Sequence, residues 1–332
     1  MTISSHVPND RRNIVVVGAS AGGVSALQRL AADLPPSFPA VILVVLHVGS
    51  NPSHLPALLA AAGPNSAAHA QDGEAIRTGH IAVAPPDHHL LLNDGCLRLT
   101  RGPKENFARP AIDPLFRSAA LSYGPRVIGV ILTGNLDDGT AGLQAIKVCG
   151  GLAVVQDPNS AFAPSMPQSA LMYVDVDHCV SLESLGKTLR TLVTQRSPER
   201  QAAPDQLRHE QAPHTGTVNA MEDLKAVGTP SALVCPECGG GLWEINQASP
   251  PRYRCHTGHG YSLRSLENAM NETTENVLWS AVRALQERAV VTRRVATVRQ
   301  GLERADEARI DAARADTDER YAAELRKLIS RV

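Results

Sequence analysis

Apolar residues in the N-terminal two-thirds of the chain fall into short runs. Ile14-Val15-Val16-Val17 is the first, followed by residues 41–46, 81–84, 90–92, 127–132, 152–155 and 172–176. Runs this short and rich in β-branched side chains read as strands buried on both faces. Between them, residues 24–33, 53–61, 113–122, 140–149 and 183–194 place apolar positions at helical spacing. Alternating strands and helices predict βαβ units with right-handed crossovers, hence an α/β fold built on a doubly wound, mostly parallel sheet. Residues 76–100 break the pattern and read as a β-hairpin closed at Asn93-Asp94-Gly95.

The pattern changes after residue 194. Residues 195–230 are polar, carry prolines and show no period, which predicts a flexible linker. Residues 231–262 hold two clusters of cysteine, histidine and glycine around Leu242-Trp243-Glu244-Ile245 and Arg252-Tyr253-Arg254, the pattern of a small two-stranded ribbon. Leu263, Leu266, Met270, Val277, Ala281 and Leu285 then follow three- and four-residue steps. This predicts a helical or coiled-coil tail over 263–332, with a break near 299–308 and a capacity for self-association. Arg293, Arg294 and Arg299 read as a solvated face of it. Residues 12–194 make up the main domain.

Composition narrows the function. A net charge of −1 over 332 residues offers no bulk attraction to nucleic acid or anionic membranes. Aromatic residues at 3% are too few for base-stacking surfaces, and leave the core to Ala, Val, Leu and Ile. No apolar run reaches about 18 residues, and Met1 to Arg12 lacks a signal-peptide core, so a cytoplasmic protein without membrane insertion is expected. Cys96, Cys149 and Cys179 are scattered and read as inert thiols.

The candidate chemistry lies at the ends of three strands. Gly18-Ala19-Ser20-Ala21-Gly22-Gly23 follows the first strand and opens a helix. Gly-x-Ser-x-Gly at a strand-to-helix turn exposes a serine hydroxyl beside unpaired helix amides, the setting of a nucleophile elbow. A dinucleotide-binding turn is the rival reading, but it wants an acidic residue at the end of the second strand. That strand ends in His47, which can take and return the serine proton. A third strand runs into Leu132-Thr133-Gly134-Asn135-Leu136-Asp137-Asp138-Gly139, where either aspartate could orient the histidine or merely cap the next helix.

These motifs resemble the catalytic domain of the chemotaxis protein-glutamate methylesterases, the CheB family. The likeness extends through Asp72-Gly73-Glu74, residues 79–89, Arg109-Pro110-Ala111-Ile112-Asp113-Pro114-Leu115-Phe116 and Ser165-Met166-Pro167, over about residues 12–193. It implies Ser20 as nucleophile, His47 as general base and acid, and Asp138 as its orienter, with Asp137 a neighbour. It further implies an oxyanion hole from the backbone of Ala21 and Asn135, and catalysis without a cofactor. The implied substrate is a methylated chemoreceptor-like protein, with glutamine deamidation as a second reaction. Two departures stand out. Asn135 and Leu136 replace the family's methionine and glycine, and leucine resists the positive φ that glycine accepts. The first strand also begins within fifteen residues of Met1, which leaves no room upstream for the family's receiver domain. Arg109 and Arg117 are candidates for meeting acidic substrate neighbours, although a surface ion pair is the blander reading of each. His88 and His89 read as rim residues.

The clusters Cys235-Pro236-Glu237-Cys238 and Cys255-His256-Thr257-Gly258-His259 have zinc-site spacing. They predict a structural Zn²⁺ on Cys235, Cys238, Cys255 and His259, with His256 as the alternative histidine. A cytosolic redox pair of Cys235 and Cys238 is the competing reading, but it needs no second cluster. The two functional classes are therefore a serine esterase of protein side chains and a scaffold or regulatory module of a chemosensory complex, with a chemosensory regulatory protein as a further partner.

Overall fold

The structure is a computed structural model that describes residues 10–216 and 220–330. The expectations for residues 1–9, for linker positions 217–219 and for residues 331–332 fall outside the described residues. The chain opens with β1 (Ile14–Ala19), α1 (Gly23–Asp33), β2 (Val41–Leu46), α2 (Leu55–Ala62), β3 (Ser66–His69) and β4 (His80–Val83). A hairpin of β5 (His89–Asn93) and β6 (Cys96–Thr100) follows, then α3 (Ile112–Tyr123), β7 (Val127–Ile131), α4 (Thr140–Val148), β8 (Leu152–Gln156), α5 (Ser165–Tyr173), β9 (His178–Val180) and α6 (Leu182–Leu192). Seven of these strands form one parallel sheet in the order β3-β4-β2-β1-β7-β8-β9. This is the doubly wound α/β architecture that the alternation of runs predicts.

The β1 residues show why an unbroken apolar run was needed. Side chains alternate across a strand. Ile14 and Val16 enter the core under α3, α4 and α5, while Val15 and Val17 enter the core under α1, α2 and α6. One sequence expectation needs correcting in this domain, and one strand left no trace in the pattern. Residues 172–176 are not a strand: α5 runs to Tyr173 and the edge strand is β9. Ser165-Met166-Pro167 starts a helix, and Met166 and Ala170 on one face bury into the core while Met172 stays exposed. The alternation of Met172, Val174 and Val176 mimicked a strand. Conversely, β3 is a four-residue edge strand, Ser-Ala-Ala-His, with too few apolar residues to leave a periodic trace.

The expected linker is also partly ordered. After residue 194 come α7 (Asp205–Thr215), α8 (Ala220–Val227) and a four-stranded antiparallel sheet of β10 (Gly228–Val234), β11 (Gly241–Ile245), β12 (Arg252–Cys255) and β13 (Gly260–Ser262). The ribbon thus has four strands, not two. Polar α7 is held by charge pairing, which hydrophobic patterning does not register. Glu105 is buried and accepts from Arg117 of α3 at 2.6 Å, Arg254 of β12 at 2.7 Å and His214 of α7 at 2.7 Å. Burial alone would raise its pKa, but the two guanidiniums and the imidazole hold the carboxyl well below its usual value. Arg252 of β12 pairs with Glu210 of α7, and Arg117 also donates to Gln211 at 3.0 Å. Arg117 is therefore a buried structural cation, not a surface contact for substrate. His89 is likewise fully buried, not a rim residue, and its ring meets that of His214 at 4.8 Å.

The described residues up to Leu266 form one compact unit and those from Glu267 onward a second. The helices α9 (Leu263–Gly301) and α10 (Ala305–Ile329) match the expected tail and its break. Within the second unit, Val282, Ala289 and Ala296 of α9 and Ala308, Ala315 and Ala322 of α10 are buried at seven-residue intervals. Ion pairs of Arg288 with Asp318, Arg293 with Asp316 and Glu319, and Arg299 with Asp311 tie the two helices together antiparallel. Arg293 and Arg299 thus clip the hairpin. No helix among the described residues is long and apolar enough to cross a membrane.

Burial, reinforced by His214, lowers the pKa of His89 to about 3. The unfolded chain therefore binds a proton that the folded chain refuses, so stability present above pH ~6.5 is lost as pH falls toward 3. Urea unfolding should show a loss of about 2 kcal/mol from pH 7 to pH 5 from this group, and a shallower slope in His89→Gln. Equal slopes would remove His89 as the cause.

Candidate active site and metal cluster

The chain leaves β1, builds the sheet outward through β2, and returns to the other side of β1 as β7. Strand order reverses there, and in open α/β sheets the crevice at such a point is where ligands bind. Ser20 follows β1, His47 follows β2, and Asp138 follows β7 by a short turn. Parallel pairing brings all three to the same edge.

Ser20 sits on a sharp bend. Its amide donates to Thr133 O at 2.9 Å, its carbonyl accepts from the Gly23 amide at 2.8 Å, and Gly22 caps α1 at φ 76°. Only glycine takes that φ without strain. The Ser20 Oγ lies 3.2 Å from His47 Nδ1, and His47 Nε2 lies 2.8 Å from Asp138 Oδ2. With its proton on Nε2, the imidazole donates to Asp138 and leaves Nδ1 to accept from the serine hydroxyl. Both Ser20 and His47 are half-buried, open enough to meet a substrate.

Asp138 is buried and saturated with donors. Oδ2 accepts from His47 and from the Ile112 amide at 2.7 Å; Oδ1 accepts from Asn106 Nδ2 at 3.0 Å and the Gly139 amide at 3.0 Å. Burial opposes its ionisation, but the hydrogen bond and charge of His47, with Ile112 and Asn106, outweigh burial and leave its pKa below the ordinary value. Its neighbour Asp113 goes the other way. Burial and repulsion from Asp138 raise the pKa of Asp113 well above its ordinary value. Asp137 faces elsewhere and accepts from Ser262 Oγ at 2.6 Å. Its other oxygen has no hydrogen-bond partner among the described residues, and Asp137 lines a cavity of about 20 Å³, room for one water molecule.

The turn after β7 supplies the other chemistry. Gly134 packs so tightly that a Cβ there would stand 2.1 Å from Met166 Sδ and 2.8 Å from Ser20 Cβ. Asn135 is exposed, and among the described residues neither its amide nor that of Ala21 is committed to another group. Leu136 adopts φ 60°, so the turn keeps a glycine-like shape with leucine in place, its carbonyl accepting from Ser165 Oγ at 2.9 Å. Thr133 Oγ1 donates to Ala21 O at 2.8 Å and accepts from the Ala163 amide at 2.8 Å, and Gln156 accepts from the Thr133 amide at 3.1 Å. Sequence reasoning missed Thr133, Gln156 and Asn106. The first two carry a usable signal, a polar residue ending an apolar strand. Asn106 carries none. Arg109 donates to Asp87 at 2.8 Å and to the Gly102 carbonyl at 3.0 Å, the ion-pair reading.

The ribbon gathers Cys235, Cys238, Cys255 and His259, whose ligand atoms all lie within 4.8 Å of one another. Cys238 Sγ stands 3.7 Å from Cys255 Sγ, and His259 Nδ1 stands 3.7 Å from Cys235 Sγ and 3.6 Å from Cys255 Sγ. A tetrahedral ion with metal–sulfur bonds near 2.3 Å would have edges of about 3.8 Å, so the spacing fits. Three thiols and an imidazole suit a soft or borderline metal, not Mg²⁺ or Ca²⁺. His256 is exposed and lies outside the cluster.

This fold and site define a doubly wound α/β domain with a serine–histidine–aspartate relay on its carboxyl edge. The family model of the CheB methylesterases matches residues 15–189, and the chain belongs to that family. A relative from Leptospira interrogans is 40% identical over 175 residues, which cover 52% of this chain and 91% of that one. The protein-glutamate methylesterase/protein-glutamine glutaminase 2 of Anaeromyxobacter dehalogenans is 38% identical over 183 residues, covering 55% of this chain and 54% of its own, so the match spans about half of that relative. Among solved structures, the CheB methylesterase catalytic domain of Thermotoga maritima matches with a TM-score of 0.53 and 33% identity, over 55% of this chain and 98% of that one.

Leucine at positive φ costs roughly 1–2 kcal/mol. Leu136→Gly should therefore stabilise the protein by about 1 kcal/mol, read as a higher urea midpoint at unchanged m-value. A lower midpoint would show that the leucine side chain contributes more than its backbone costs.

Proposed function

We propose that the chain hydrolyses γ-glutamyl methyl esters on chemoreceptor-like proteins in the cytoplasm, and releases ammonia from glutamine side chains by the same route. The observation that carries this reading is the relay from Ser20 Oγ through His47 to Asp138, at 3.2 and 2.8 Å. His47 Nδ1 takes the Ser20 proton as Oγ attacks the ester carbonyl, and Asp138 stabilises the imidazolium that forms. The uncommitted amides of Ala21 and Asn135 hold the developing oxyanion. As the intermediate collapses, the bond to the methoxy group breaks and His47 returns the proton, releasing methanol. Water, activated by the same histidine, then cleaves the acyl-serine to free glutamate and Ser20. The relatives' names, protein-glutamate methylesterase/protein-glutamine glutaminase, support the ester and amide chemistry, and no step calls for a cofactor.

In the ribbon, the same reading gives Cys235, Cys238, Cys255 and His259 a structural zinc ion. Four protein ligands close the coordination sphere, so such an ion organises a small sheet and does not act on substrate.

Two measurements test these assignments. Purified protein should release methanol from a methylated receptor fragment, and Ser20→Ala should lower the rate by at least about 10³-fold; equal rates would end the esterase reading. Metal analysis should find one zinc per chain in wild type and none in Cys235→Ser/Cys238→Ser. A folded, reduced protein without metal would remove the zinc site.

A further inference from the structure

The ribbon sheet and the reacting centre meet at one loop. Residues 104–107 run between them, and Asn106 hydrogen-bonds to both. The Gly260 amide donates to Lys104 O at 3.2 Å, and the Asn106 amide donates to Gly260 O at 2.8 Å. Lys104 pairs at 2.8 Å with Glu237, which lies inside the Cys235–Cys238 knuckle. Asn106 Oδ1 accepts from the Ser262 amide at 2.9 Å and from Ser265 Oγ at 2.8 Å. The opposite end of the same amide, Nδ2, donates to Asp138. Ser262 Oγ meanwhile donates to Asp137, the residue before Asp138.

The backbone of this loop does not adopt its shape cheaply. Asn106 and Phe107 stand at φ 50° and 63°, consecutive left-handed residues. Asparagine tolerates that region, but phenylalanine does not. Such strain persists only where the surroundings impose it. Here the surroundings are the ribbon: the Phe107 ring packs on Tyr261 at 5.0 Å, and the Tyr261 hydroxyl reaches Cys235 Sγ at 3.1 Å. His259 of the metal cluster directly precedes Gly260, which makes both backbone bonds to the loop.

We infer that the ribbon is a positioning element for the reacting centre: closed by its four ligands, it holds the 104–107 loop so that Asn106 orients Asp138. This rests on the esterase reading of Ser20, His47 and Asp138. Asn106 is a positioning residue; it acts through Asp138 and touches neither serine nor substrate. The arrangement makes the state of the ribbon an input to the reactivity of Ser20, a form of control located in this chain.

The test uses the full chain, with two readouts. One is the rate at which a small fluorophosphonate labels Ser20, which needs no protein substrate. The other is the low-field proton resonance of the His47 Nε2–H that Asp138 accepts. Asn106→Ala, Ser265→Ala and wild type stripped of metal by a chelator should each slow labelling about tenfold and shift the resonance. Combining Asn106→Ala with either of the others should add little, since all act through one contact. Ser265→Thr, which keeps the hydroxyl, should behave as wild type. Ser265→Ala leaves the metal ligands intact, so it separates loss of coupling from loss of fold. Unchanged labelling and resonance in Ser265→Ala, or effects that simply add, would overturn the inference. If wild type is not labelled at Ser20 at all, the esterase reading fails, while the resonance still reports whether the ribbon acts on Asp138.

Discussion

A carboxylate buried without donors would protonate, and a protonated Asp138 could not hold His47. The surrounding structure is arranged to prevent this. The start of α3 supplies the Ile112 amide, the start of α4 supplies the Gly139 amide, His47 comes from the end of β2, and Asn106 comes from the loop that meets the ribbon. These groups come from distant parts of the chain, and none of them makes sense without the others. Burial and the charge of Asp138 likewise push the pKa of the neighbouring Asp113 upward.

The second region of buried charge does a different job. Glu105 collects Arg117, Arg254 and His214 from α3, β12 and α7, and so joins the α/β domain, a polar helix and the ribbon into one compact unit. Breaking one partner of such a cluster strands the others in a dry interior, which costs far more than an exposed pair would. Glu105 and Asn106 are adjacent. The loop between hairpin and α3 is thus anchored by charge on one residue and aims a hydrogen bond with the next.

Much of this was legible in the sequence where local chemistry and period agree. The Ile14–Val17 run, the glycine elbow around Ser20 and the histidine closing β2 each follow from short stretches of chain. The cysteine knuckles are equally local. Where reading failed, hydrophobic period was the wrong guide. The α7 helix is polar and packs through ion pairs, so it resembled a linker. The end of α5 alternated like a strand. His89 and Arg117 looked like surface residues because their partners lie far along the chain.

Most strands and helices of the α/β domain, their parallel assembly and the residue types at the strand ends follow from side-chain period and from turns only a few residues long. Residue type and spacing left two aspartates open to face His47 and two histidines open to join the three thiols; packing sets Asp138 and His259 there and gives Leu136 its left-handed turn. It also decided that the ribbon bears on Asp138 through Asn106. Each of these is a choice among groups of similar chemistry, settled by which one the packing of remote segments brings within about 3 Å, the reach of a hydrogen bond.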